Sequence, residues 1–274
     1  MEARLQRRIQ RYGWDAAADI YEDAWQANLA PIHEQMIDLA GLAPGQIVLE
    51  LACGSGMLTF RAAALVKGGG TVHASDISAE MVDLVQSRAL DMGCEAVAVV
   101  RGDGEVLDAP ADTFDAALCS LGLMYMPDPV AALSRMHGAL KPGGRAVVST
   151  WGTRQNCAWA DIFPIVDSVV KSEVCPLFFN LGAGDNLANA MTRAGFSGIE
   201  LHRVQGVLKF ADRADTLEAT IDAGAVALAA KRFDTATRTY VDNAFLETIA
   251  DYRRDDGGYD IPTEYLIAVG GKSS

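Results

Sequence analysis

The chain has 274 residues, 50% hydrophobic and 22% charged, which suits one elaborated α/β domain or two small ones and excludes a disordered tail or a low-complexity fibre. Asp and Glu number 36 against 23 Lys and Arg, a formal charge of −13 that repels polyanions and argues against nucleic acid or an anionic membrane as partner. The five cysteines (Cys53, Cys94, Cys119, Cys157 and Cys175) are scattered, with no C-x-x-C pair and no histidine at ligand spacing, so we expect reduced thiols, a cytoplasmic setting and no metal.

The amino terminus places Arg4, Arg7, Arg8 and Arg11 beside Glu2 and lacks the apolar core of an export signal. It reads as an entry helix with Tyr21 and Trp25, four apart, on one face. No apolar run approaches the ~18 residues that span a bilayer, so no stable membrane insertion is expected. From about residue 46 strands and helices alternate, the pattern of a parallel sheet covered on both faces. Ile47 to Leu51 is a strand entering Ala52-Cys53-Gly54-Ser55-Gly56, and Met57 to Val66 favours helix up to Gly68-Gly69-Gly70. Thr71 to Ser75 is a second strand ending at Asp76, Ser78 caps the next helix, Gly93 stops it, and Ala96 to Val100 is a third strand. A fourth strand covers Phe114 to Ser120. Asp128-Pro129 opens a helix that closes at Lys141-Pro142-Gly143-Gly144, and Arg145 to Thr150 is the fifth strand. Beyond it periodicity weakens until a helix near 186–194 and a sixth strand near 199–204. Two helical patterns, about 215–231 and 236–252, precede a last strand at Tyr265 to Val269. We read one domain over 1–274: entry segment 1–44, core 45–204, helical insertion or lid 205–262, and last strand with tail 263–274.

A strand ending in a glycine turn that opens a helix puts free N–H groups and little bulk at the carboxyl edge of the sheet, where open α/β folds bind ligands. Asp76, twenty positions after Gly56, is placed for the two hydroxyls of a ribose. A nicotinamide dinucleotide would want a third glycine where Thr59 stands. Glu50, just before the turn, is awkward beside a pyrophosphate and favourable beside a cation. A cationic nucleoside cofactor without phosphates is therefore expected.

At these motifs the chain resembles the class I S-adenosylmethionine-dependent methyltransferases, especially the ubiquinone- and menaquinone-biosynthesis type and other small-molecule methylases. The resemblance runs from about 45 to 151 through Val48-Leu49-Glu50-Leu51-Ala52-Cys53-Gly54-Ser55-Gly56, Asp76-Ile77-Ser78, Gly102-Asp103-Gly104-Glu105, Ser120-Leu121, Pro127-Asp128-Pro129 and Leu140 to Arg145. Ala52 stands where the family usually has its first glycine. The resemblance implies a Rossmann-like seven-stranded, mostly parallel sheet, last strand antiparallel, with the helical insertion before it. It implies S-adenosylmethionine contacts at Glu50, Ala52, Gly54, Gly56, Asp76, Ile77, Met81, Gly102, Asp103, Gly104, Glu105, Ser120 and Leu121. Within it Glu50 sits near the methionine amino group, Asp76 holds the ribose, Ile77 packs on adenine and Asp103 accepts from the adenine amino group.

For the methyl acceptor we expect a small, partly apolar or aromatic molecule against Tyr21, Trp25, Met124, Tyr125 and Trp151, with Phe178 and Phe179 joining them. A sulfonium is already activated, so alignment and desolvation can suffice and no catalytic residue is required. Of His33, His73, His137 and His202, only His33, in the entry helix, is retained as a candidate base. The Asn/Asp-Pro-Pro-aromatic tetrapeptide of amino-methylating nucleic-acid enzymes is absent after the fourth strand, where Ser120-Leu121-Gly122-Leu123 stands. The second reading is a non-catalytic cofactor-binding module of the same fold, regulatory or scaffolding, and a monomer or homodimer suits either.

Overall fold

The computed structural model describes residues 2–170 and 177–273, so Cys175 lies outside the described residues. The apolar runs form β1 (Ile47–Leu51), β2 (Thr71–Asp76), β3 (Val97–Arg101), β4 (Phe114–Ser120), β5 (Leu140–Trp151), β6 (Ser197–Phe210) and β7 (Tyr259–Gly271). They build one sheet in the order β3-β2-β1-β4-β5-β7-β6, with β7 antiparallel between β5 and β6 and the β1, β2, β3, β4 and β5 pairings parallel. The expected α/β sheet with an antiparallel last strand is what forms.

Alternation along the strands decides which layer each helix joins. Val48 and Val147 pack into one apolar cluster with Leu29, Met36 and Leu58 from α1 (Ala3–Ala40) and α2 (Met57–Leu65). Leu49, Ala146 and Val148 pack into a second with Leu133 and Met136 of α4 (Pro129–Ala139) and Leu187 of α6 (Asn186–Arg193). Between β2 and β3 lies α3 (Ala79–Asp91), its amino end capped by Ser78 Oγ, which accepts from Met81 N at 3.2 Å. The entry segment is a single 38-residue helix that packs on α3, on β5 and on the lid.

Several boundaries differ from the sequence reading; among them, α4 ends at Ala139 and β5 already begins at Leu140, where Lys141 to Gly144 was read as the helix stop. Helix α5 (Ile162–Val170) stands in the stretch where the sequence reading found weak periodicity, and it buries Ile162, Phe163 and Val166 on one face. The sixth strand extends from 199–204 to Ser197–Phe210, and the last begins at Tyr259, since the pairing Val204↔Tyr265 continues unbroken to Phe210↔Tyr259. Pro262 is tolerated there because it lies beyond Trp151↔Tyr265, the last β5–β7 pair, where β7 has one strand neighbour. The lid is correspondingly shorter than 205–262: it holds α7 (Arg213–Leu217), a π-helical turn (Glu218–Asp222), α8 (Ala227–Ala230) and α9 (Thr235–Thr248).

Candidate active site

The turn after β1 forms because its residues accept left-handed backbone. Gly54 and Gly56 have φ of +54° and +88°, and a Cβ at Gly56 would meet the Phe60 ring at 2.9 Å. Ala52 also sits at φ +53° and Leu121, after β4, at +52°. Two non-glycine residues in this region, both at the carboxyl edge of the sheet, mark strain held by surrounding structure.

Asp76 ends β2 with 7% of its surface exposed. Its Oδ2 accepts from Gly54 N and its Oδ1 from Ser78 N, each at 2.9 Å, which fixes the carboxylate against both loops. Burial pushes its carboxyl up, while these N–H groups favour the anion. Each oxygen keeps a lone pair for a ligand hydroxyl. Glu50 is 1% exposed and its Oε2 has no hydrogen-bond partner. Burial pushes its carboxyl up to about 8, with nearby Asp76 acting in the same direction and the Thr59 hydroxyl opposing. A buried carboxyl with an unpartnered oxygen beside a glycine turn fits the ammonium or sulfonium of the expected cofactor.

Arg7, which the sequence reading missed, reaches from α1 to Asp103 Oδ2 at 3.0 Å and Glu105 Oε2 at 2.5 Å. Glu105 Oε1 accepts from Asp128 N, and Asp103 Oδ1 from Glu105 N at 3.0 Å. Asp103 thus serves an ion pair as well as facing the cavity. A second tether joins the same helix to the site: Asp15 Oδ1 accepts from Ser78 Oγ at 2.7 Å and Ala79 N at 2.9 Å. Only a helical register running through residues 7 and 15 could have signalled these contacts, and it names no partners.

These elements enclose a cavity of about 1130 Å³, counting open space at its mouth, room enough for a nucleoside cofactor and a second small molecule. Its wall includes Ala52, Gly54, Asp76, Ile77, Met81, Gly102, Asp103, Gly104, Glu105, Ser120 and Leu121 at one end. Tyr21, Trp25, Met124, Tyr125 and Trp151 line it too, together with Phe178 and unforeseen Gln10, Trp14, Trp159, Phe163 and Thr220. Glu50, Gly56 and His33 do not: Glu50 lies beneath the turn and Gly56 packs inward on Phe60. His33 is 4% exposed with Nδ1 unpartnered, and burial with nearby Arg61 takes its imidazole down to about 4. His137 packs edge-on to Phe196, and His73 bonds with Thr71.

Aromatic rings run along the cavity in two contacting series. Trp14 meets Tyr21 and Tyr125 edge-on at 5.4 and 5.2 Å, and Tyr125 meets Phe178 at 5.5 Å. Trp151 meets Trp25 at 6.1 Å and Trp159 at 4.8 Å, and Trp159 closes on Phe178 at 5.8 Å. All four tryptophans of the chain stand in this one wall. Burial beside Asp76 holds the Tyr21 phenol well above its ordinary value, so it stays neutral. Among the described residues no His/Cys/Asp/Glu cluster could hold a metal, and no helix is long and apolar enough to cross a membrane.

Residues 48–144, which contain the turn, Asp76 and the Gly102 to Glu105 loop, match the methyltransferase domain family. Over this stretch the core is similar to methyltransferase domains. The cradle just described fits S-adenosylmethionine, the cofactor expected from the sequence motifs. The ubiquinone/menaquinone biosynthesis C-methyltransferase UbiE of Methylococcus capsulatus is 42% identical over 113 residues, 41% of this chain and 46% of that one. Nocamycin O-methyltransferase of Saccharothrix syringae is 34% identical over 132 residues, 48% of this chain and 47% of that one. The chain therefore spans about half the length of the curated relatives it matches. In solved structures the same fold recurs in a putative methyltransferase from Bacillus halodurans, at TM-score 0.63 and 17% identity over 88% of this chain and 99% of that one. It recurs in the [4+2]-cyclase SpnF at TM-score 0.59 and 21% identity, covering 91% and 82%.

Proposed function

We propose that the protein transfers the methyl group of S-adenosylmethionine to a small, largely apolar aromatic acceptor. The observation that carries this is the continuity of a polar cofactor cradle, Gly54 and Asp76 to Glu105, with an aromatic chamber inside one cavity. When bound, the cofactor supplies a methyl group already activated on a sulfonium. The chain's own residues then have three tasks. Asp76 and the Gly54 N–H hold the nucleoside end. A cation held over the turn favours the ionised form of the Glu50 carboxyl, which burial otherwise keeps protonated up to about 8. The rings of Trp14, Tyr21, Trp25, Trp151 and Trp159 exclude water and orient a flat acceptor, which is how binding can accelerate a transfer between two preformed partners. The partial overlap with both an O- and a C-methyltransferase leaves the accepting atom to experiment. The non-catalytic module is the weaker reading, because a binding domain has no need of a second, aromatic compartment.

Because every tryptophan lies in the cavity wall, intrinsic fluorescence reports occupancy directly. S-adenosylmethionine should change the emission of the wild-type protein saturably. Asp76→Ala should weaken that binding by about 1–3 kcal/mol, the scale of a charge-assisted hydrogen bond lost from a buried site. Release of S-adenosylhomocysteine on a panel of phenols, quinols and enolisable carbonyl compounds tests turnover. An unchanged affinity in Asp76→Ala, or no release with any acceptor class, counts against the proposal.

A further inference from the structure

The lid faces the cavity with Thr220, Ala223, Gly224, Ala225 and Val226. Thr220 is the one hydroxyl among them, and it is 4% exposed. Its Oγ1 donates to the Thr216 carbonyl at 2.7 Å. A hydroxyl has a single proton and two lone pairs, so with the proton committed Thr220 can only accept from a ligand.

The backbone around it is held in place. Residues 218–222 form a π-helical turn, in which Ala223 N donates to Glu218 O at 2.7 Å. The widened turn presents the carbonyls of Ala219 and Ala223 to the Trp25 indole N–H, which reaches each at 3.1 Å. Trp25 thus locks the turn to α1, and π-helical turns recur at functional sites because they re-aim side chains. At Gly224 a Cβ would come within 2.6 Å of the Thr220 carbonyl oxygen, so the chain stays bare there and the lid remains close-packed beside the hydroxyl.

We infer that Thr220 is the specificity-determining residue of the acceptor chamber, accepting a hydrogen bond from an O–H or N–H group carried by an otherwise apolar aromatic acceptor. This rests on the methyltransferase reading of the same cavity. A desolvated acceptor oxygen left unpaired penalises any ligand that lacks the donor. The same device distinguishes a free hydroxyl from its methyl ether, which has no proton to give.

The test is titration calorimetry of the full chain with 1-naphthol and with 1-methoxynaphthalene, with and without S-adenosylhomocysteine, for wild type, Thr220→Val and Thr220→Ser. Wild type should bind the naphthol about tenfold more tightly than its ether, the worth of one buried hydrogen bond. Thr220→Val should bring the two within about twofold, and Thr220→Ser should keep the preference, since it keeps the acceptor oxygen. Equal binding of both compounds by wild type, binding of neither, or a preference that survives in Thr220→Val overturns the assignment. S-adenosylhomocysteine binding, measured alongside, reports separately on the cofactor: its absence would sink the methyltransferase reading without altering the naphthol ratio.

Discussion

Glu50 shows how one buried side chain couples ligand charge to pH. In the unfolded chain its carboxyl titrates near the ordinary 4.5, and in the fold burial moves it up to about 8. Between those values the folded protein keeps a proton that the unfolded chain has lost, so stability falls as pH rises through the interval. Glu50→Gln removes the titration while nearly preserving shape. Urea unfolding at pH 5, 6, 7 and 8 should therefore find the variant gaining on wild type with rising pH, by up to about 1.4 kcal/mol per unit. A constant gap across the series would show that Glu50 ionises without penalty. At this scale the sequence was informative: Asp76 was readable from its strand-end spacing, and it meets the Gly54 and Ser78 N–H groups at 2.9 Å. Arg7, Gln10 and Thr220 were not readable, because a residue facing a cavity from a distant helix carries no local periodic signature.

At the scale of elements, α1 behaves as a strap across the site. Asp15 shares the cap of α3 with Ser78, an acidic group supplied to a helix amino end from another helix. Losing such a cap costs about 1–2 kcal/mol. Asp15→Ala should lower the thermal midpoint accordingly and raise hydrogen exchange in residues 3–25 more than in the sheet strands. Exchange that rises equally everywhere would place Asp15 in global stability rather than in the strap. The strap was only half legible: its helix and its Tyr21/Trp25 face were readable from spacing, whereas its partners depend on how β2 and β3 bring Asp76, Ser78 and Asp103 under it. The lid was foreseen as two helices; the π-helical break at 218–222 follows from Trp25 supplying a donor that a regular helix would not need.

For the whole molecule, the carboxyl side of the sheet is joined by Glu264 of β7, which is 3% exposed. It accepts from Thr153 N at 2.8 Å, Asn156 Nδ2 at 2.9 Å, Gln205 Nε2 at 2.8 Å and Arg203 Nη1 at 3.1 Å, tying the segment that follows β5 to β6 and β7. Removing Glu264 leaves the Thr153, Asn156 and Gln205 donors unmet while the half-exposed Arg203 turns to water, at about 1–3 kcal/mol. Glu264→Ala should lose stability on that scale in denaturant unfolding, and a loss below about 1 kcal/mol would mean that water replaces the network. The fold class, the strand order of chemistry around Gly54, Asp76 and Asp103, and the expectation of a cationic nucleoside cofactor were determined by the sequence itself, because turns, caps and strand ends are local features with local causes. The tertiary structure decided the rest: which charges pair, where β6 and β7 end, why His33 stands apart from the cavity, and how four scattered tryptophans come to share one wall. Those depend on contacts between residues far apart in the chain, which only packing brings together.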